Sequence, residues 1–384
     1  MEKIEVLHLI KTLHLGGAEK NLFNLARSFD PHRVEIHVGY SSGGEFESKF
    51  RELGIRLFKF SETNDKIKSI KTFSIIPKLV KYIRDNKIQI VHTHSFNTHV
   101  WGTLAAKMTQ RILVEHVHDA RYMDPSEYKR RGGYVTQYRY IRYVRGLSDR
   151  VVVLTEQNRQ FLLQKGFYDE RRIRKIQNGI PLNGFKGIEG ERGQNLRKRL
   201  GLTDRDQAIL TSLRLSPEKN VDLIFRVAPV VAKAVPSAVF LVLGDGPLFR
   251  QFSAKSEELT SCRIKLIGYY SEICDLLAIS DLFLLPSLLE LHSIAILEAL
   301  SMKVPVITSQ DVGSNDEFIT SWQNGVLLDP FCDAGWAEAI IRLLREPDLR
   351  KQIGQRGYET CLSRFNIRKV AKEFEDLYSE LVRE

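Results

Sequence analysis

Short apolar runs rich in β-branched residues alternate with longer amphipathic segments along most of this chain, and this alternation is the strongest constraint on its fold. The first series of strand candidates comprises Ile4–Ile10, Val34–Val38, Ile88–Val91, Ile112–Glu115 and Val151–Leu154. The second series comprises Ala208–Leu213, Val239–Leu243, Ile264–Ile267, Leu282–Leu285 and Val304–Ile307. Strands separated by helix-length segments are typical of parallel βαβ units. We therefore predict an α/β chain with two Rossmann-like parallel sheets.

The region between the two series indicates where the chain divides. A length of 384 residues exceeds the roughly 250 residues at which a single core usually stops growing. The segment Ile180–Leu202 has linker composition, with Pro181, Gly184, Gly187, Gly190 and Gly193 among charged residues. We predict the interdomain hinge there. Because parallel sheets bind ligands beyond the carboxyl ends of their strands, two such domains facing each other form a cleft that suits an anionic ligand.

Composition excludes several other classes of protein. The chain is 43% hydrophobic and 27% charged, which is typical of a globular protein. Its four cysteines lie far apart without a C-x-x-C pair, so we expect reduced thiols and no structural zinc site. The first apolar run is interrupted by Glu5 and His8, unlike a secretory signal, and no run reaches the roughly 18 apolar residues that span a bilayer. We expect a cytoplasmic location.

Half of the net charge of +10 comes from one segment, residues 121–150, where eight basic residues outweigh Asp124, Glu127 and Asp149. Its basic residues are Arg121, Lys129, Arg130, Arg131, Arg139, Arg142, Arg145 and Arg150, and six tyrosines are interleaved among them. One interpretation is contact with an anionic membrane surface, where basic and aromatic side chains both bind. The alternative is a solvated helix face whose tyrosines pack inward. Nucleic acid is a less favoured partner, because no recognised binding module accompanies the segment.

The richest motif runs from Pro286 to Ser301 and leads into Val304-Pro-Val-Ile. It follows an apolar strand and opens a helix for which Ser293 is the predicted N-cap. Backbone N–H groups at such a helix start, around His292, Ser293 and Ile294, can bind a diphosphate. If that diphosphate belonged to a nucleotide sugar, Glu290 in the loop could lie on the sugar side and Glu298, inside the helix, on the ribose hydroxyls.

These residues resemble the retaining glycosyltransferases of family 4, which carry two glutamates separated by seven residues in this strand-loop-helix setting. The flanking Pro286-Ser287, the Leu-Glu-Ala-Leu around Glu298 and the Val-Pro-Val-Ile segment strengthen the resemblance. One position departs from the family pattern. Glycine usually follows the first glutamate, whereas this chain has Leu291, which is costly if the backbone there requires a positive φ.

The resemblance extends to charged and glycine-containing turns after other strands of the second series. Arg214 and Lys219 follow its first strand and resemble the family's diphosphate clamp, in which an arginine offers a bidentate fork and a lysine a point charge. Gly244 lies in a Gly-Asp-Gly turn after the second strand. Gly268 and Tyr269 follow the third strand and correspond to a position near the nucleotide base.

Histidines and glycines follow the strands of the first series. Gly16 and Gly17 come after the first strand, match the family's N-terminal glycine loop and form neither a dinucleotide-binding nor a P-loop fingerprint. His92 and His94 follow the strand candidate Ile88–Val91, and His116 and His118 follow the strand candidate Ile112–Glu115. Each pair shares a strand face, so a metal site is conceivable, but no third carboxylate or cysteine ligand is evident. By resemblance, His118 contacts the transferred sugar or its phosphate; for His92 we favour a structural role.

The resemblance implies a GT-B architecture, with an acceptor-binding domain over residues 1–185 and a nucleotide-sugar-binding domain over residues 186–365. Residues 366–384 would form a helix that crosses back to the N-terminal domain. The implied activity is retaining, metal-independent transfer of a hexose from UDP or GDP to a glycan, lipid-linked or small-molecule acceptor, with His118, Arg214, Lys219 and Glu290 catalytic and no cofactor. Two alternatives remain: an epimerase acting on sugar nucleotides, and a non-catalytic nucleotide-sugar-binding protein. The second is kept open by Leu291 and by Pro181, which replaces the usual aspartate after Asn178-Gly179-Ile180.

Overall fold

A computed structural model describes residues 3–14, 16–61, 72–120, 144, 146–182, 190–270 and 272–384. The chain forms two compact units. Unit 1 comprises Met1–Gly179 and Ile367–Glu384, and unit 2 comprises Ile180–Asn366. The first division thus lies six residues before residue 185, the end of the predicted N-terminal domain.

Unit 1 contains a seven-stranded parallel sheet in the order β3-β2-β1-β4-β5-β6-β7. Its strands are β1 (Ile4–Thr12), β2 (Val34–Ser42), β3 (Arg56–Lys59), β4 (Ile90–Thr93), β5 (Ile112–Val117), β6 (Arg150–Val153) and β7 (Ile173–Lys175). β3 and β7 were not among the predicted strands; both are short edge strands with partly exposed, charged residues. The order of the strands reverses between β1 and β4, and such a switch point is where doubly wound sheets bind ligands.

Unit 2 contains a six-stranded parallel sheet in the order β10-β9-β8-β11-β12-β13. Its strands are β8 (Gln207–Ser212), β9 (Ala238–Leu243), β10 (Arg263–Gly268), β11 (Leu282–Leu285), β12 (Val306–Ser309) and β13 (Val326–Leu328). All six residues of β9 are buried, which explains why its sequence is continuously apolar. The switch point lies between β8 and β11. The prediction of two parallel α/β sheets is confirmed.

Helices cover both sheets. In chain order they are α1 (Gly17–Ala26), α2 (Glu45–Glu52), α3 (Thr72–Asp85), α4 (Phe96–Thr109), α5 (Glu156–Gln164), α6 (Glu191–Arg199), α7 (Val221–Ala234), α8 (Phe249–Glu258), α9 (Ile273–Ala278), α10 (Ile294–Ser301), α11 (Asn315–Phe318), α12 (Asp333–Arg345), α13 (Pro347–Arg364) and α14 (Ile367–Arg383). Within the described ranges, every helix is too short or too polar to cross a bilayer.

The C-terminal helix α14 belongs to unit 1, although its sequence follows unit 2. Its buried face includes Phe374 and Tyr378, which pack into the unit 1 core. Glu375, on the same helix, accepts one hydrogen bond from Arg33 at 2.7 Å and another from the backbone N–H of Asp30 at 2.7 Å. Apolar burial and this ion pair together hold α14 against unit 1.

The predicted linker Ile180–Leu202 is wrong in its second half. Residues 191–199 form α6, Leu196 is buried in the core of unit 2, and Arg197 donates to the backbone oxygen of Asp206 at 2.6 Å. Charged residues dominate this helix because only one narrow side of it faces the core. Residues 183–189 of the predicted linker lie outside the described residues.

Candidate functional site

The site in unit 2 is centred on an ion pair between loops that follow β8 and β11. Lys219 Nζ lies 2.5 Å from Glu290 Oε1 and 3.4 Å from the backbone oxygen of Leu289. The two charged side chains are 19% and 12% exposed, so water screens this pair less than it screens a surface pair. Because β8 and β11 flank the switch point, the structure brings these two predicted residues together where such sheets bind ligands.

Neighbouring groups fix the position of Glu290. Ser287 Oγ donates to the same Oε1 atom at 2.8 Å, and the Leu288 N–H donates to the Glu218 backbone oxygen at 2.9 Å. The loop after β12 supports the other side, where Ser314 donates to the Leu291 oxygen from its N–H at 2.8 Å and its hydroxyl at 2.9 Å. The carboxylate is therefore held in a defined position before any ligand binds.

Leu291, at the position where the family usually has glycine, does not have a positive φ. Gly313, on the loop after β12, has a left-handed φ of +62°. A Cβ there would lie 2.6 Å from the backbone oxygens of both Glu290 and Leu291. The close approach that requires glycine thus occurs on the neighbouring loop, and leucine at position 291 causes no backbone strain.

Helix α10 begins beside this loop. Ser293 is its N-cap, as predicted, and its hydroxyl accepts from the Ile296 N–H at 3.4 Å. The first-turn N–H groups that start at Ile294 can therefore bind an anion. Glu298 lies one turn inside the helix and is buried, and the His292 ring packs between Phe318 and Phe365 at centroid distances of 5.4 Å each.

The remaining predicted residues of unit 2 lie at the carboxyl ends of β8, β9 and β10. Gly244 has a φ of +134°, and a Cβ there would lie 1.9 Å from the Leu213 backbone oxygen. Its N–H donates to the Gly268 oxygen at 2.9 Å, which joins the ends of β9 and β10. Arg214 is exposed just after β8, and Tyr269 is 61% exposed after β10. An arginine and an aromatic ring are thus available to a ligand along this edge.

In unit 1, the predicted glycine loop opens α1. Gly16 is the N-cap residue and is extended, and the helix starts at Gly17. Glu19 in the first turn accepts from Thr12 Oγ1 at 2.9 Å. Burial is the main cause that raises the pKa of Glu19. The structure does bring these glycines to a helix start after the first strand.

His118 belongs to a cluster of histidines near the switch point of unit 1. The cluster consists of His8 on β1, His92 on β4, His94 just after β4, His116 on β5 and His118 just after β5. His8 and His92 occupy paired positions on adjacent strands, and their ring centroids lie 4.7 Å apart. His116 and His118 stack at 4.3 Å. Four of the five residues, all but His8, were candidates from the sequence, but their association was not predicted.

Two family models match this chain, and together they cover most of it. The model described as "Glycosyltransferase Family 4" matches residues 15–183, and the one described as "Glycosyl transferases group 1" matches residues 193–360. This chain belongs to the glycosyltransferases of the GT-B fold. The resemblance inferred from the sequence is therefore confirmed at the level of the family and fold.

Known proteins resemble this glycosyltransferase over nearly its whole length. The UDP-Gal:alpha-D-GlcNAc-diphosphoundecaprenol alpha-1,3-galactosyltransferase of Escherichia coli is 25% identical over 99% of this chain and 98% of its own. The Anabaena protein HepE in complex with UDP-glucose superimposes with a TM-score of 0.82, at 20% identity, over 98% of this chain and 100% of its own. A glycosyltransferase from Rickettsia africae ESF-5 gives a TM-score of 0.81 at 20% identity, covering 100% of both chains.

Burial makes the histidine cluster of the glycosyltransferase resistant to protonation. It lowers the pKa of His8 to about 3 and that of His118 to about 4. The pKa values of His92, His94 and His116 also lie well below the usual value, because burial and neighbouring imidazoles both disfavour the cation. All five rings are therefore neutral at physiological pH.

We expect unit 1 to lose stability below pH 6.5. A histidine with pKa of about 6.5 when unfolded and a lower value when folded binds more protons in the unfolded state. Its contribution is complete above the unfolded pKa and is lost as the pH falls towards the folded value. Each buried ring should cost up to about 1.4 kcal/mol per pH unit in this window. Urea denaturation at a series of pH values in a chelating buffer measures this loss, and an unfolding midpoint independent of pH over this range would contradict it.

Sequence reasoning missed several residues that position the site of the glycosyltransferase. Ser287 was noted only as part of a motif, and Gly313 was not noted at all. His8 was used only to exclude a signal segment. Tyr378, on α14, was not noted, although its hydroxyl lies 2.6 Å from His92 Nδ1 and forms a hydrogen bond with it. A histidine on an otherwise apolar strand was a signal that could have identified His8.

Residues 121–143 and 145, most of the basic segment, lie outside the described residues.

Proposed function

We propose that this glycosyltransferase transfers a hexose from UDP-hexose with retention of anomeric configuration and without a metal ion. The observation that carries the proposal is the Lys219–Glu290 ion pair at the switch point of unit 2. It provides a cation for a phosphate and a carboxylate for a sugar in one rigid arrangement. The diphosphate is the leaving group in this reaction, so it gains negative charge as the glycosidic bond breaks.

The residues of unit 2 match the needs of such a leaving group. Lys219 has three N–H donors, of which one points to Glu290 and one lies 3.4 Å from the Leu289 oxygen, so a further donor remains for a phosphate oxygen. Arg214 adds an exposed bidentate fork, and the start of α10 adds backbone N–H groups. Together they replace the charge that a divalent cation would otherwise supply.

In the proposed reaction, the bond between C1 of the sugar and the diphosphate oxygen breaks, and the acceptor oxygen bonds to C1 on the same face. The departing phosphate oxygen takes the proton of the acceptor hydroxyl, so no second catalytic carboxylate is needed. Glu290 contacts the sugar and Glu298 the ribose. Gly268 and Tyr269 lie on the side of the base, where an exposed aromatic ring can stack on uracil.

A sugar linked to a lipid diphosphate is the acceptor we propose. Its support is the Escherichia coli relative, whose name specifies UDP-Gal as donor and a GlcNAc-diphosphoundecaprenol as acceptor. The concentration of arginines, lysines and tyrosines in residues 121–150 also suits a surface of anionic headgroups. The enzyme would then act in polysaccharide or glycolipid assembly, as a protein bound at the membrane periphery.

The test is transfer from radiolabelled UDP-hexoses to a polyprenyl-diphosphate sugar, with and without EDTA. We expect label to enter the organic phase, UDP to be released and the rate to be unchanged by the chelator, because protein cations stabilise the leaving group. Loss of activity in EDTA that Mn²⁺ or Mg²⁺ restores would contradict metal independence. Conversion of the labelled donor to another UDP-sugar without an acceptor would instead identify an epimerase, and binding without turnover a non-catalytic protein.

A further inference from the structure

His116 has both ring nitrogens buried without a hydrogen-bond partner among the described residues. The residue is 2% exposed on β5, so bulk solvent does not reach these atoms. Buried polar atoms in proteins are nearly always hydrogen-bonded, and an exception requires an explanation. One explanation for a neutral imidazole is that its lone pair binds a metal ion.

Two further imidazoles lie where they could share that ion with His116. One ring nitrogen from each of His94, His116 and His118 lies within 4.8 Å of the other two. The His94 Nδ1 and His118 Nε2 atoms are 3.4 Å apart, which is long for a hydrogen bond. In a tetrahedral zinc site with bonds of about 2.0–2.1 Å, two ligand nitrogens lie about 3.3 Å apart. Modest rotation of the rings would bring the third nitrogen to the same separation.

The surroundings of His94 can orient it for this role. Its Nε2 atom lies 2.8 Å from His8 Nδ1, and His8 in turn lies 3.4 Å from the hydroxyl of Tyr378. If His94 donates its Nε2–H to His8, its Nδ1 lone pair faces His118. Histidine ligands in metal sites usually donate the other ring N–H to a neighbouring acceptor in this way.

We propose that His94, His116 and His118 bind a divalent first-row transition metal ion of the zinc type. Three neutral imidazoles suit Zn²⁺ or Co²⁺, whereas Mg²⁺ and Ca²⁺ prefer oxygen ligands. His118 is only partly buried, so a solvent molecule or anion can take the fourth position on its side. All three ligands belong to unit 1, and the proposal does not depend on the leaving-group chemistry proposed for unit 2.

The test is titration of metal-free, untagged protein with Co²⁺ at about pH 7.5, where unperturbed imidazoles are neutral. We expect visible absorption bands typical of tetrahedral cobalt, saturation at one ion per chain, displacement by Zn²⁺ and no effect of Mg²⁺. His116→Ala and His118→Ala should each weaken binding by at least about 100-fold, because each removes one of three ligands.

His32→Ala is the matched control, because His32 is an exposed histidine of the same unit and should leave cobalt binding unchanged. Circular dichroism checks that each variant is folded. If His116→Ala does not fold, cobalt binding by His118→Ala, at the partly exposed end of the strand, tests the site instead. Absence of tetrahedral bands in the wild type, binding that survives both ligand substitutions, or equal loss in His32→Ala would overturn the site. Since the readout is metal binding, failure of the proposed transferase reaction leaves the result interpretable.

Discussion

Replacement of Lys219 by alanine is expected to lower kcat/KM for sugar transfer by on the order of 10²-fold, the usual cost of removing one group that stabilises developing charge. Arg214→Ala should have a similar effect. In both variants the diphosphate loses a cation as it departs, so kcat should fall with kcat/KM. Steady-state kinetics with saturating acceptor and varied donor would measure both constants.

Lys233→Ala provides the control for this loss of charge. Lys233 is exposed near the end of α7, and Lys219 precedes the start of the same helix, so about 20 Å of helix separates them. We expect wild-type rates in this variant. Equal losses in Lys219→Ala and Lys233→Ala would mean that overall charge matters and that the diphosphate binds elsewhere. Wild-type rates in both Lys219→Ala and Arg214→Ala would remove the leaving-group clamp from the mechanism.

The central strands and the helix start of the site could be predicted because local sequence determines them. Leu282–Leu285 was predicted to the residue, and Ser293 was correctly identified as an N-cap. A buried parallel strand needs apolar residues on both faces, and a cap needs a short oxygen-bearing side chain. Edge strands are partly exposed and do not need apolar residues on both faces, so Arg56–Lys59 and Ile173–Lys175 gave no comparable signal.

Contacts between distant segments could not be predicted in the same way. The family resemblance of the glutamate motif and its flanking segments indicated a nucleotide-sugar site, but it gave no reason to expect Gly313 behind Leu291. Likewise, Tyr378 reaches His92 only because α14 packs on unit 1, 286 residues further along the chain. Such neighbours depend on how the elements pack, so the sequence alone does not show which distant residues will be in contact.

The second large effect we expect concerns the coupling between Glu290 and Lys219. Glu290→Gln keeps the shape of the side chain but removes the charge that holds Lys219 Nζ at 2.5 Å. The ammonium group would then be free to leave the position in which it meets the diphosphate. We expect this variant alone to lose on the order of 10²-fold in kcat/KM, as Lys219→Ala does.

If the two residues act as one unit, the double variant should lose about 10²-fold as well, whereas independent contributions would multiply to about 10⁴-fold. That difference corresponds to an interaction energy of about 2.7 kcal/mol. Pairing Lys219→Ala with Arg226→Ala gives the reference cycle, because Arg226 forms an exposed ion pair with Asp333 and should combine with Lys219 additively. Additive losses in the Glu290 cycle would mean that the carboxylate acts on the sugar independently of the lysine. Non-additive losses would instead mean that the carboxylate acts mainly by positioning the cation, and the switch point of unit 2 would then work as a preorganised charge pair.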